Sequence, residues 1–187
     1  ALKEAAALQP VTCGDDVVTE CLEYVTRRLE QFLVDDGCGA EVVRAALAER
    51  GGDPALAATT ARALETFVGG DELKAAIAVL ARPTRLVRGK ELPEDLEVKR
   101  ESFAEEEETA LWDAYEKAAA KIGDKSTASV EDLLSAAALL VEPSEAFFDK
   151  VFVMAEEPEL RRNRLALVNA VASLPNGVVD LVEMPGF

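Results

Sequence analysis

Three arginines and an asparagine fill four consecutive positions, Arg161, Arg162, Asn163 and Arg164, in a chain of formal net charge −16. A second basic stretch runs from Arg82 through Arg85 and Arg88 to Lys90, with four cations and no acid among its nine residues. The planar guanidinium fork can give two hydrogen bonds to a phosphate or to a guanine edge. The chemistry on offer is recognition of a polyanion rather than bond-making. Net charge does not forbid it. The Debye length at physiological salt is about 8 Å, so a patch of three or four cations attracts phosphate despite distant carboxylates. On a helix, positions 161 and 164 are neighbours and 162 points elsewhere, so only one of the two sets should share a face. The competing reading is ordinary ion pairing of Arg161 and Arg162 with Glu157, Glu159 or the acids of 105–108, worth roughly 0–1 kcal/mol per exposed pair. The 82–90 stretch is harder to explain that way, because its nearest acids begin at Glu91.

Other chemistries are excluded or weakly supported. The chain has no histidine, which removes Ser-His-Asp and Cys-His nucleophiles and H-E-x-x-H zinc sites. Cys13, Cys21 and Cys38 are odd in number and form no C-x-x-C pair. They read as reduced thiols, with Cys21 on an apolar helix face and expected in the core. Gly51-Gly52 and Gly69-Gly70 follow helical runs and read as helix stops rather than phosphate loops. With 36 acidic residues, any carboxylate pair is a weak signal. No self-contained active site and no metal site is predicted. No cationic segment precedes an apolar run, so no signal peptide is expected. The longest apolar stretches fall short of the ~20 residues of a membrane span.

The elements that would carry the basic groups are helices. Hydrophobic residues make up 49% of the chain and aromatics only 5%, a composition suited to closely packed helices. Val18, Leu22, Val25, Leu29 and Leu33 form one helical stripe from Asp15 to Asp36, ended by Gly37. Ala40 to Arg50 makes a shorter helix. Asp53-Pro54 is an N-cap followed by proline at the first helical position, opening a helix through Leu56, Leu64 and Phe67. Asp71 opens another that should fade near Pro83, leaving residues 82–100 as loop. Ser102 with Glu105 fits a capping box, opening a long helix to about Ile122 with Leu111, Trp112, Tyr115, Ala119 and Ile122 inward. Glu105 to Glu108 then read as a solvated first turn favoured by the helix dipole. Ser129 caps a helix that should end before Pro143. Two more helices should meet at Glu156-Glu157-Pro158, and the tail from Leu174 should be irregular. The fold class expected is all-α, a bundle of about eight helices, in two parts, residues 1–70 and 71–187.

The stretch "FFDKVFVMAEEPELRRNRLALV" resembles the C-terminal region of the bacterial-type glycyl-tRNA synthetase β subunit. The family pattern is Phe-Phe-Asp, a Val-Met pair, an acidic joint and Leu-Arg-x-Asn-Arg-Leu-x-Leu. Here it reads Phe147, Phe148, Asp149, Val153, Met154, Glu156, Glu157, then Leu160, Arg161, Asn163, Arg164, Leu165 and Leu167. "CLEYVTRRLEQFLVDDGCGAEVVRAALAE" and "ALETFVGGDELKAAIAVLARPTRLVRG" are similar to upstream segments of the family, so the likeness covers about Asp16 to Leu174. The family usually has Lys-Arg-Val-x-Asn-Ile where this chain has Ala-Arg-Pro-Thr-Arg-Leu. The tail "SLPNGVVDLVEMPGF" looks like plant and algal organellar forms with α and β parts fused.

The resemblance implies a DALR-type anticodon-binding domain preceded by a small helical module. It implies a noncatalytic part of a ligase that joins glycine to tRNA, with ATP and magnesium used in a catalytic part absent from this chain. Partners implied are tRNA(Gly) and the remaining synthetase domains, in a homo-oligomeric parent located in the chloroplast, or in a bacterial cytoplasm. The tRNA-binding positions implied are Arg82, Arg85, Arg88, Lys90, Arg161, Asn163 and Arg164. Phe147, Phe148 and Met154 match the motif too, but at helical spacing they are expected in the core. A second function remains open on the residues alone: a structural module that docks other domains of the synthetase, with its arginines as surface pairs.

Overall fold

The computed structural model describes residues 2–10, 14–93 and 95–187; Cys13 lies outside them. The described residues form nine α-helices and two 3-10 turns and no strand. The helices are α1 (Leu2–Ala7), α2 (Asp15–Asp35), α3 (Ala40–Arg50), α4 (Pro54–Phe67), α5 (Asp71–Val87), α6 (Glu106–Ile122), α7 (Val130–Ala138), α8 (Val141–Lys150) and α9 (Pro158–Ala172). The all-α bundle is as the sequence predicts. Among the described residues no helix is long and apolar enough to cross a membrane.

In the first part of the chain α3 packs on α4 and α2 lies across both. In the second, α5 packs on α7 and α9, and α6 packs on α7, α8 and α9. Leu80, Leu111, Leu133, Leu140, Phe147 and Leu167 are fully buried there, each stabilising the fold by roughly 1.5–3 kcal/mol over an exposed position.

Helix punctuation follows the sequence at several ends. Asp53 accepts hydrogen bonds from the Ala55 and Leu56 N–H groups at 3.1 and 3.0 Å. Ser129 caps α7 by accepting from the Asp132 N–H at 3.0 Å. Gly37 ends α2 with φ +104°, which only glycine adopts without cost.

Four expectations are corrected. Helix α5 does not fade at Pro83 but continues to Val87. The ring costs one backbone hydrogen bond, yet Pro83 is buried, and Leu86 and Val87 pack onto the core beyond it. Helix α6 is capped at Glu105, not Ser102, which belongs to the 3-10 turn Arg100–Ser102. Helix α7 ends before Pro143, as expected, and Pro143 sits in the first turn of α8, where its missing N–H has no intrahelical partner to lose. Cys21 is exposed, because α2 buries only Leu33 fully. In α6 the fully inward positions are Leu111, Ala114, Ala118 and Ile122, and Trp112 and Tyr115 are half-buried against each other, with ring centroids 5.1 Å apart.

The irregular tail returns to α3. The Asp180 N–H donates to the Ala45 carbonyl at 2.9 Å, and Glu49 Oε2 accepts from the Gly177 N–H at 2.6 Å. Arg50 is buried, and burial pulls its pKa down. It donates to the Gly177, Lys125 and Ala128 carbonyls and to the Thr60 hydroxyl at 2.7–3.0 Å. Four acceptors from three distant stretches thus replace water around one guanidinium.

Candidate nucleic-acid interface

The head of α9 sends its polar groups inward. Arg164 Nε meets Glu108 Oε1 at 3.0 Å, with the two side chains 7% and 0% exposed. Arg164 Nη1 also donates to the Phe152 carbonyl at 2.9 Å. Glu108 is therefore not part of a solvated face: its other oxygen accepts from the Ala104 and Glu105 N–H groups at 2.7 and 2.8 Å, closing the start of α6. Asn163 is buried as well and clamps the backbone of Lys99. Its Oδ1 accepts from the Lys99 N–H at 2.7 Å, and its Nδ2 donates to the Lys99 carbonyl at 3.0 Å. Asn163 and Arg164, expected as binding positions, thus spend their hydrogen bonds inside the protein. Arg161 is half-buried and donates to the Ala155 carbonyl at 3.2 Å. Arg162 pairs with Asp95 at 2.8 Å, and that hydrogen bond holds the Asp95 carboxyl below its usual range.

These bonds hold two segments: Asn163 and Arg162 hold residues 95–99, and Arg164 and Arg161 hold the stretch before α9. Between Lys150 and Pro158 the chain leaves the helical state, so the two helices do not meet directly at Glu156-Glu157-Pro158. Val151, Val153 and Ala155 are buried, while Phe152 and Met154 are exposed. The chain turns at Val153-Met154, and the alternate side chains of the segment face inward and outward. Arg164 and Arg161 grip the carbonyls of Phe152 and Ala155, so the segment is tied down at both ends while it turns its large side chains out. Phe152 is 71% exposed. Phe147 is buried as expected, Phe148 is half-buried, and Met154 is not in the core.

The other basic group stays at the surface. Because α5 runs past Pro83, Arg82 and Arg85 are one turn apart on a helix, and Arg88 and Lys90 follow its end. All four are exposed, and none forms an ion pair with a carboxylate among the described residues. Arg82 lies over the Phe148 ring, 4.4 Å from its centroid, and donates to the Phe148 carbonyl at 3.3 Å. Lys90 Nζ approaches Met154 Sδ at 3.9 Å. Arg82, Arg85 and Leu86 on one side, and Phe148, Phe152 and Met154 on the other, line an open groove of about 510 Å³. Nearby, Lys150 is engaged by Glu107, an ion pair that raises the pKa of the lysine and lowers that of the carboxyl.

The two basic stretches do converge, but on opposite sides of the same segment. Arg161 and Arg164 support residues 151–155 from within, and Arg82, Arg85 and Lys90 meet them from outside. Phe152, Leu86 and Val151 are members that the sequence did not single out. Phe152 lies in the wholly apolar run Val-Phe-Val-Met-Ala, where alternation of facing leaves no polar trace.

The groove, rimmed by Arg82 and Arg85, thus lies on a bundle that is all-helical among the described residues. The model of the DALR anticodon binding domain matches residues 77–184, and the chain belongs to that family. It is 44% identical over its whole length to "Glycine--tRNA ligase, chloroplastic/mitochondrial 2" of Arabidopsis thaliana, of which it spans 17%. It is 32% identical over 96% of its length to the glycine–tRNA ligase β subunit of Moorella thermoacetica, and 28% identical over 96% to that of Actinobacillus pleuropneumoniae, spanning 27% and 26% of them. The chain thus spans about a quarter or less of these relatives, and the resemblance read from the motif is borne out.

Proposed function

We propose that this chain is the tRNA(Gly) anticodon-arm-binding region of a glycyl-tRNA synthetase. It holds the tRNA while a catalytic part elsewhere in the enzyme joins glycine to it. The observation that carries this reading is a groove with exposed apolar side chains rimmed by Arg82 and Arg85, with Arg88 and Lys90 exposed next along the chain and none of the four ion-paired among the described residues. Such cations keep a local field that phosphates can enter even in so acidic a chain. Phosphate contacts would position the arm, and the groove would meet unpaired bases.

Chemistry belongs elsewhere in this reading. Among the described residues no group of three or more His, Cys, Asp or Glu side chains is placed to hold a metal ion, and no glycine-rich phosphate loop opens a helix. ATP and magnesium would act in the catalytic part, within an oligomeric parent. The identity to a protein named as chloroplastic/mitochondrial supports an organellar parent, and we place it in the chloroplast.

The test is binding of tRNA(Gly) to the chain over a salt titration. The double variant Arg85→Glu, Arg88→Glu should lower affinity and reduce the slope of log K against log salt by about 0.7–0.9 for each phosphate no longer neutralised. The control Arg62→Glu makes a like charge change on α4, where Arg62 pairs with Asp36, and should leave the slope unchanged. If wild type and the double variant share affinity and slope, the face is not the RNA site. The alternative, a docking module for other synthetase domains, would then be tested by mixing the chain with the rest of the enzyme.

A further inference from the structure

We infer that Phe152 is a stacking shelf for one unpaired nucleobase, with Met154 at its edge and a flanking phosphate held by Arg85. This rests on the RNA-binding reading above and adds the residue that meets a base. Three observations lead to it. A phenyl ring 71% exposed stands beside exposed Met154, and both line one open groove, so the apolar surface is contiguous rather than scattered. The ring is not on a loose loop: the carbonyl of Phe152 is held by Arg164, itself locked to buried Glu108, and its neighbours Val151 and Val153 are buried. The groove beside it is rimmed by Arg82 and Arg85, with no carboxylate among its lining residues.

Those features together select the occupant. A protein partner would supply an apolar side chain, but would have to bring carboxylates as well for Arg82 and Arg85 at the rim. A nucleotide in a single-stranded loop brings a planar apolar face and an anionic linkage on either side of it. Stacking on an aromatic ring tolerates any base, because every base has a π-face. Phe148, already covered by the Arg82 guanidinium at 4.4 Å, cannot serve in the same way. The apolar ring and the cations thus divide the work, one taking the base and the others the backbone.

The experiment separates the ring from the charges. Affinity for tRNA(Gly) is measured for wild type, Phe152→Ala, Phe152→Leu and Phe152→Trp, each across a salt titration. Phe152→Ala should weaken binding about 5- to 150-fold, as removal of one aromatic stack does, with the salt slope unchanged because every phosphate keeps its cation. Phe152→Leu should fall nearly as far, and Phe152→Trp should bind at least as well as wild type. In the background Trp112→Phe, tryptophan at position 152 becomes the sole indole of the chain. Its fluorescence should be quenched by tRNA(Gly) and by an isolated anticodon stem-loop, and not by a duplex of the same stem.

If RNA binds but Phe152→Ala has wild-type affinity, or the indole is not quenched, the shelf is overturned while the binding face stands. If Phe152→Ala instead abolishes association with the rest of the synthetase and leaves RNA affinity intact, the ring is a protein contact and the inference is again overturned. If wild type does not bind RNA, the underlying reading falls with it.

Discussion

Replacing Arg164 by methionine should destabilise the whole domain rather than trim a binding surface. In the folded protein Glu108 is fully buried and Arg164 nearly so, 3.0 Å apart. Removing one partner of a buried pair costs about 3–5 kcal/mol, because the remaining charge is left uncompensated. Glu108 keeps two backbone donors, the Ala104 and Glu105 N–H groups, and methionine fills much of the volume of the arginine stem. Both place the variant at the low end, about 3 kcal/mol. A domain of this size shifts its melting temperature by roughly 2–4 °C per kcal/mol, so Tm should fall by about 6–12 °C. Thermal unfolding followed by far-ultraviolet circular dichroism near neutral pH measures it. The double variant Arg164→Met, Glu108→Gln should recover part of the stability, since no bare charge then stays inside. A single variant with unchanged Tm and much weakened tRNA binding would refute the reasoning. It would mean that the guanidinium faces solvent and works as an RNA contact.

Two further outcomes follow from hydrogen bonds of Arg50, Asp124 and Asp132. Arg50→Met leaves the Gly177, Lys125 and Ala128 carbonyls and the Thr60 hydroxyl without their donor. Each buried acceptor left unpaired costs about 1–3 kcal/mol, so amide exchange in residues 177–184 should accelerate before the rest of the protein opens; unchanged exchange there would contradict the clamp. Acid should unfold the chain progressively below about pH 4. The Ser129 hydroxyl and N–H hydrogen bonds hold the Asp132 carboxyl below its ordinary 3.8, and the Ser126 N–H and hydroxyl do the same for Asp124. A carboxyl whose folded pKa lies below its unfolded one stabilises the fold above the unfolded value and loses that contribution as pH falls through the folded one. Asp132→Asn should therefore flatten the fall of Tm below pH ~4, and an unaltered slope would show that this cap does not carry it.

The bundle was legible because its helix ends are written locally. Asp53-Pro54, Ser129 and Gly37 act on their own few residues, so short-range reading finds them. The family likeness was legible for a related reason, since the run from Phe147 to Leu167 is contiguous. What escaped depends on partners far away in sequence. Pro83 looks like a stop until Leu86 and Val87 are seen to bury beyond it. Glu108 looks solvated in its acidic run, and its arginine lies 56 residues on. Asn163 reads as a polar group free to meet a base, while its clamp on Lys99 spans 64 residues. The basic motif drew notice for its charge, yet most of that charge is spent on carbonyls and carboxylates at home. Its surface product, the ring of Phe152, carries no charge at all.

The seating of the tail on α3 has a consequence for synthesis on the ribosome. Glu49 waits for Gly177, 128 positions later in the chain. At about 5–20 residues per second that interval is on the order of ten seconds. Throughout it, α3 has emerged with its outer flank bare and Arg50 lacking its Gly177 acceptor. The first helices can gather early, but residues 177–184 close them, and a nascent chain stalled short of that stretch would offer chaperones an unfinished surface.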